Sequence, residues 1–175
     1  MKVLITAFTP FNKSKNNYSL EVLNKIQAVD KTILDVCYDK CYNDLCIKNN
    51  LNSYDLIIAM GEARMRNEIM LEVTAKNISS CSIPDNNGVL KQNELIIEDA
   101  PSELNTLIDI DKLNDVIKFS YDAGKFICNN LYYHLLFNYP TKSIFVHIPN
   151  CNDDELEYLK YADVINKIIE KLKKD

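Results

Sequence analysis

Short, nearly continuous apolar runs alternate along this chain with segments of helical spacing. KVLITAF (2–8) and DLIIAMG (55–61) are apolar almost throughout, TILDVCY (32–38) and DVIKFSY (115–121) alternate, and SIFVHIP (143–149) ends at a proline. A run that is apolar on both faces suits a strand covered on both sides, as in a parallel sheet. Between these runs, YSLEVLNKIQ (18–27), DKCYNDLCIKNNL (39–51), residues 124–138 and LEYLKYADVINKIIEKLKK (156–174) read as helices, the last closed by the cations Lys173 and Lys174. This order predicts an α/β fold, a three-layer α/β/α sandwich around a central, mostly parallel twisted sheet. One region breaks the rhythm: EIMLEVTAKNIS (68–79) alternates like a strand, IPDNNG (83–88) is turn chemistry, and the stretch up to about 113 has little pattern. Nothing along the chain marks a linker or a repeat, so a single domain over 1–175 is expected, long enough to bury a core.

Charge narrows the function classes. A formal net charge of −5 gives no electrostatic case for nucleic acid or an anionic membrane. No apolar run approaches the roughly 18 residues of a membrane span, and MKVLITAF is too short and too strand-like for a signal peptide, which predicts a cytoplasmic protein. The six cysteines, at 37, 41, 46, 81, 128 and 151, include no CxxC pair, and the two histidines lie far from the 37–46 cluster. Reduced thiols are therefore expected, with no metal and no cofactor.

Open α/β sheets place ligands beyond the carboxyl ends of their strands. TPFN after the first run, Gly61 after the third, the Asp122–Cys128 segment and His147 all belong to that edge. Pattern alone leaves two readings of Cys128 open: a small apolar filler on a buried helix, or a nucleophile near a helix start. Only His134 and His147 are available as bases. His134, six residues further along the helix, lies about 240° around it from Cys128 and is read as structural. His147 is then the partner, and Glu72, a carboxylate in an otherwise apolar alternating stretch, is a candidate to orient it.

Four segments, in order, resemble the pyroglutamyl peptidase I (pyrrolidone-carboxylate peptidase) family. TAFTPFNKSKNNYS (6–19) resembles its G-F-x-P-F-G-G…N loop. MGEARMRNEIMLEVTAKN (60–77), with SIPDNNG (82–88) after it, resembles the segments I-x-x-E-x-x-x-x-N and R-I-P-D-N-x-G. SYDAGKFICNNLYY (120–133) resembles S-x-x-A-G-x-x-x-C-N, and IFVHIP (144–149) resembles F-[IV]-H-[IV]-P. The resemblance implies a phosphorylase/hydrolase-like sheet and a cysteine exopeptidase that cleaves after an N-terminal pyroglutamyl residue of a peptide or protein. By position, Cys128 is the nucleophile, His147 the base and Glu72 the orienting acid. Phe8 and Phe11 flank the slot for the flat ring, and backbone around Gly61, Glu62, Ala63 and Ile83 meets its amide edge. Two stretches depart from the pattern: Asn12-Lys13 replaces Gly-Gly, and the turn after Gly61, often glycine-rich in the family, is Glu62-Ala63-Arg64-Met65. The alternatives are a member that binds without turnover, or a thiol amidase with another acyl preference. A homo-oligomer is an open form of assembly.

Overall fold

The computed structural model describes residues 1–173. Six strands form one sheet: β1 (Val3–Phe8), β2 (Asp30–Leu34), β3 (Leu56–Glu62), β4 (Met70–Glu72), β7 (Lys118–Ser120) and β8 (Ser143–Ile148). Their spatial order is β2-β1-β3-β8-β4-β7. Every pairing is parallel except that of β4 with β8. A separate antiparallel pair joins β5 (Thr74–Lys76) to β6 (Glu103–Asn105). The four helices are α1 (Tyr18–Lys25), α2 (Cys41–Lys48), α3 (Ile127–Asn138) and α4 (Glu155–Lys173). The expected end of the last helix at Lys174 lies outside the described residues.

Strand periodicity of two sorts the core into two layers. Val3, Ile5, Ala7, Ile58, Met60, Val146 and Ile148 pack with α1 and α4. Leu4, Phe8, Ile57, Ala59 and Phe145 pack with α2 and α3. All six residues of β1 and all six of β8 are buried, which explains why both segments are apolar with little alternation.

Three boundaries differ from the sequence reading, each for a local reason. β2 starts two residues early and stops at Leu34, because the Asp35 carboxylate accepts the Val36 N–H and the Cys37 N–H turns back to the Asp35 carbonyl. The 68–79 strand divides at Val73, whose N–H goes to Ser120 and whose carbonyl accepts from Thr106, so that β4 and β5 join different sheets. Helix α3 begins at Ile127 rather than 124, placing Cys128 within its first turn.

Candidate active site

Register brings distant residues to one face. Gly61 on β3 pairs with His147 on β8, and Glu72 on β4 pairs with Phe145, two residues before that histidine. Residues paired across a ladder share a face, as do residues two apart on a strand. Gly61, Phe145, His147 and Glu72 therefore all point toward α3. His147 Nδ1 lies 2.7 Å from Glu72 Oε1, both side chains being buried. The sulfur of Cys128 packs directly over Gly61: a Cβ there would lie 2.6 Å from Sγ and 2.9 Å from the Phe145 ring. Only glycine leaves room for the thiol to rest there, on the strand residue that pairs with His147.

Glu72 also meets a cation, Arg66. Arg66 Nη1 lies 2.7 Å from Oε1, the oxygen that also meets His147. Arg66 Nη2 donates to Ser120 Oγ at 3.3 Å and to the Asp122 carbonyl at 2.9 Å, tying the carboxylate to the loop that leads into α3. Tyr132 Oη donates to the Glu72 carbonyl at 2.8 Å. A carboxylate with no exposed surface needs such partners, since removing one member of a buried pair costs about 3–5 kcal/mol.

The surroundings of Cys128 do not favour a resting thiolate. Burial, then the carboxylates of Glu72 and Glu62, push its thiol up to about 12, against a smaller downward pull from its own backbone N–H and from Arg66. The group is a protonated thiol at neutral pH, and attack requires a base to take its proton. The first turn of α3, which contains Cys128, has no side-chain cap, so its leading amide groups have no side-chain acceptor at the N-cap.

Beside the sulfur is a narrow cleft of about 40 Å³ lined by Phe8, Phe11, Val36, Phe126, Ile127 and Cys128, with Asn17 and Glu62 as its polar members. It has the room of a few water molecules. Larger depressions lie away from the thiol, such as one of about 210 Å³ floored by Leu56, Ile108 and Leu172, with neither nucleophile nor histidine in its lining.

Of the sequence candidates, Cys128, His147, Glu72, Phe8, Phe11, Gly61 and Glu62 thus converge. Ala63 and Ile83 do not line the cleft. The Ala63 backbone is occupied, its N–H on the Ile148 carbonyl and its carbonyl under the Arg66 N–H. Glu62 contributes main chain at the cleft, while its carboxylate, on the opposite face of β3, accepts the Tyr18 N–H at 2.9 Å. Val36, Phe126 and Asn17 were missed, although Val36 follows the carboxyl end of β2, where an open α/β sheet places ligands. The IPDNNG turn serves as a brace: Asp85 accepts the Tyr38 N–H, and Asn86 Nδ2 donates to Asp35 and to the Pro10 carbonyl, holding the loops that carry Val36 and Phe11. His134 stacks on Tyr42 with centroids 4.6 Å apart, in keeping with a structural role.

Fold and cluster together define a class, the α/β proteins that gather a thiol, an imidazole and a carboxylate at the carboxyl edge of a mostly parallel sheet. Within it, the chain belongs to the pyroglutamyl peptidase family, whose sequence profile matches residues 1–173. It is 31% identical to the pyrrolidone-carboxylate peptidase of Brachyspira hyodysenteriae, covering 90% of this chain and 87% of that relative. Identity to the Thermosipho africanus pyrrolidone-carboxylate peptidase is 32%, over 85% of this chain and 82% of the relative. The crystal structure of pyrrolidone carboxyl peptidase from Fervidobacterium islandicum superposes with a TM-score of 0.87 at 27% identity, covering 99% of this chain and 98% of that one.

Proposed function

We propose that this protein is a cysteine exopeptidase that hydrolyses the amide following an N-terminal pyroglutamyl residue, with Cys128 as nucleophile, His147 as base and Glu72 as orienting acid. The observation that carries the reading is the buried His147–Glu72 contact on the sheet face where the Cys128 sulfur packs over Gly61. Family membership supplies the substrate class.

In this mechanism Glu72 accepts a hydrogen bond from the Nδ1–H of His147 and leaves Nε2 as the basic nitrogen. The thiol proton passes to Nε2 as sulfur bonds the acyl carbon, and the carbonyl becomes an oxyanion facing the free amide groups of the first turn of α3. Collapse breaks the C–N bond, and the imidazolium proton leaves with the amine. Water then adds to the thioester, giving one proton to His147. Cleavage of the C–S bond releases 5-oxoproline, and the thiol recovers its proton. The two walls of Phe8 and Phe11 suit a flat ring of apolar methylenes, and an unpaired amide in such a slot costs about 1–3 kcal/mol, which favours main-chain partners near Glu62. All six cysteines are unpaired, which suits a reducing, cytoplasmic setting, and none of the described helices is long and apolar enough to cross a membrane.

The test is release of a fluorogenic amine from a pyroglutamyl amide and from a prolyl amide, by wild type and Cys128→Ala under reducing conditions. Turnover of the pyroglutamyl substrate alone, lost in the variant, is the expected result. Activity that survives Cys128→Ala sinks the assignment. Absence of turnover, with the pyroglutamyl amide still bound, supports the reading as a binding domain.

A further inference from the structure

The loop between β1 and α1 supplies Phe11 and Asn17 to the cleft. Two consecutive non-glycine residues in it, Asn12 and Lys13, have left-handed backbone at φ 50° and 61°. That conformation disfavours a lysine, so contacts elsewhere must hold the loop in place. Three of them come from Arg64. Its Nη2 donates to Ser14 Oγ at 2.7 Å, to the Asn16 carbonyl at 3.3 Å and to Asn16 Oδ1 at 3.2 Å. Its Nε lies 2.9 Å from Glu62 Oε1, and its guanidinium covers the Tyr18 ring at 4.4 Å. Glu62 Oε2 in turn accepts the Tyr18 N–H, and Asn16 Nδ2 donates to Asp153 at 2.5 Å. Arg64 thus spans the end of β3, the loop and the start of α1, while Phe11, three residues before Ser14, packs on Phe126 with centroids 5.8 Å apart.

We propose that Arg64 is a positioning residue that latches the Phe11 loop to the end of β3, keeping the cleft over Cys128 narrow and so restricting it to small, flat acyl groups. The inference rests on the reading of Cys128 as the nucleophile of that cleft. Widening the cleft of about 40 Å³ requires the Phe11 wall to move, and Arg64 restrains the Ser14–Asn16 side of its loop while Asn86 restrains the Pro10 side. A planar, forked guanidinium suits a site with one acidic partner and several neutral acceptors, which a lysine cannot reach together.

The experiment compares full-length wild type, Arg64→Ala, Arg64→Lys and Ser14→Ala. Tryptic nicking after Lys13 and Lys15, both exposed, reads opening of the loop. Alkylation of Cys128 by iodoacetamide and by the bulkier N-phenylmaleimide, followed by peptide mass spectrometry, reads the width of the cleft. In Arg64→Ala, loop nicking should rise about fivefold or more, as local opening does when anchoring contacts are lost. The bulky reagent should gain about as much, and iodoacetamide less than about twofold. Arg64→Lys should fall between, and Ser14→Ala should move both readouts less in the same direction. The ratio of kcat/KM for a pyroglutamyl amide over a bulkier acyl amide should drop about tenfold in Arg64→Ala, a size of discrimination typical of one pocket contact.

Loop nicking at the wild-type rate overturns the latch. So does equal acceleration of both reagents with nicking throughout the chain, which reports general loosening. Turnover of the pyroglutamyl amide that survives Cys128→Ala counts instead against the nucleophile assignment, and the nicking comparison then decides the latch alone.

Discussion

At the scale of single residues, the site depends on one missing methyl group and one misplaced-looking charge balance. Gly61 is needed for space: a Cβ there meets the Cys128 sulfur at 2.6 Å and the packed Phe145 ring at 2.9 Å. Gly61→Ala should therefore push the thiol off its place on the sheet and lower kcat by about a hundredfold, the usual cost of a shift near 1 Å. Steady-state kinetics beside a thermal melt would separate that loss from unfolding. An alanine enzyme with normal kcat would mean the sulfur does not react where it rests. The charge balance sets pH behaviour. With burial and two carboxylates holding the thiol up to about 12, the thiolate fraction of Cys128 grows with pH through the whole neutral and alkaline range. Its alkylation rate should therefore climb steadily from pH 6 to 10, about tenfold per unit, with no plateau near neutrality. A plateau below pH 8 would instead indicate a preformed thiolate–imidazolium pair. Both predictions treat Cys128 as a reagent made reactive at the moment of proton transfer.

Elements show what the sequence could and could not disclose. The runs that became β1, β3 and β8 were legible because both their faces are buried, and burial on both faces leaves an uninterrupted apolar signature. Cys128, His147 and Glu72 were legible as residue types at element ends, but their meeting was not. That depends on β8 lying between β3 and β4, and strand order is not a local property of sequence. Alternation misled at 68–79, where the pattern continues through Val73 although the hydrogen bonds change sheets. It misled again at Val36–Tyr38, which stay buried as a loop because Asp85 and Asp35 supply the partners a strand would have given. Periodicity reports which side chains are buried and is silent on which ladder buries them. The left-handed pair Asn12–Lys13 was legible only through the resemblance, which has Gly-Gly at those positions, while the contacts of its loop to Arg64, some fifty positions away, left no local mark.

On the scale of the whole molecule, β8 is the second-to-last element in the chain and yet sits in the interior of the sheet, pairing with β3 on one side and β4 on the other. A fragment of residues 1–141 leaves both of those strands with an open edge and Glu72 without its histidine. Such a fragment should lack cooperative unfolding by circular dichroism and should associate on concentration, as exposed edges do. A monomeric fragment with a sharp melt would show that β1, β2 and β3 are sufficient alone. The same topology has a meaning for synthesis. Glu72 and His147 are 75 positions apart, so the ladder that joins them cannot close until that whole intervening stretch has been made. At roughly 5–20 residues per second, that is a delay of several seconds in which the earlier strands wait for their central neighbour. A chain interrupted anywhere before Ser143 lacks both the middle of its sheet and the proposed base, so no truncated product keeps the His147–Glu72 contact on which the proposed activity rests.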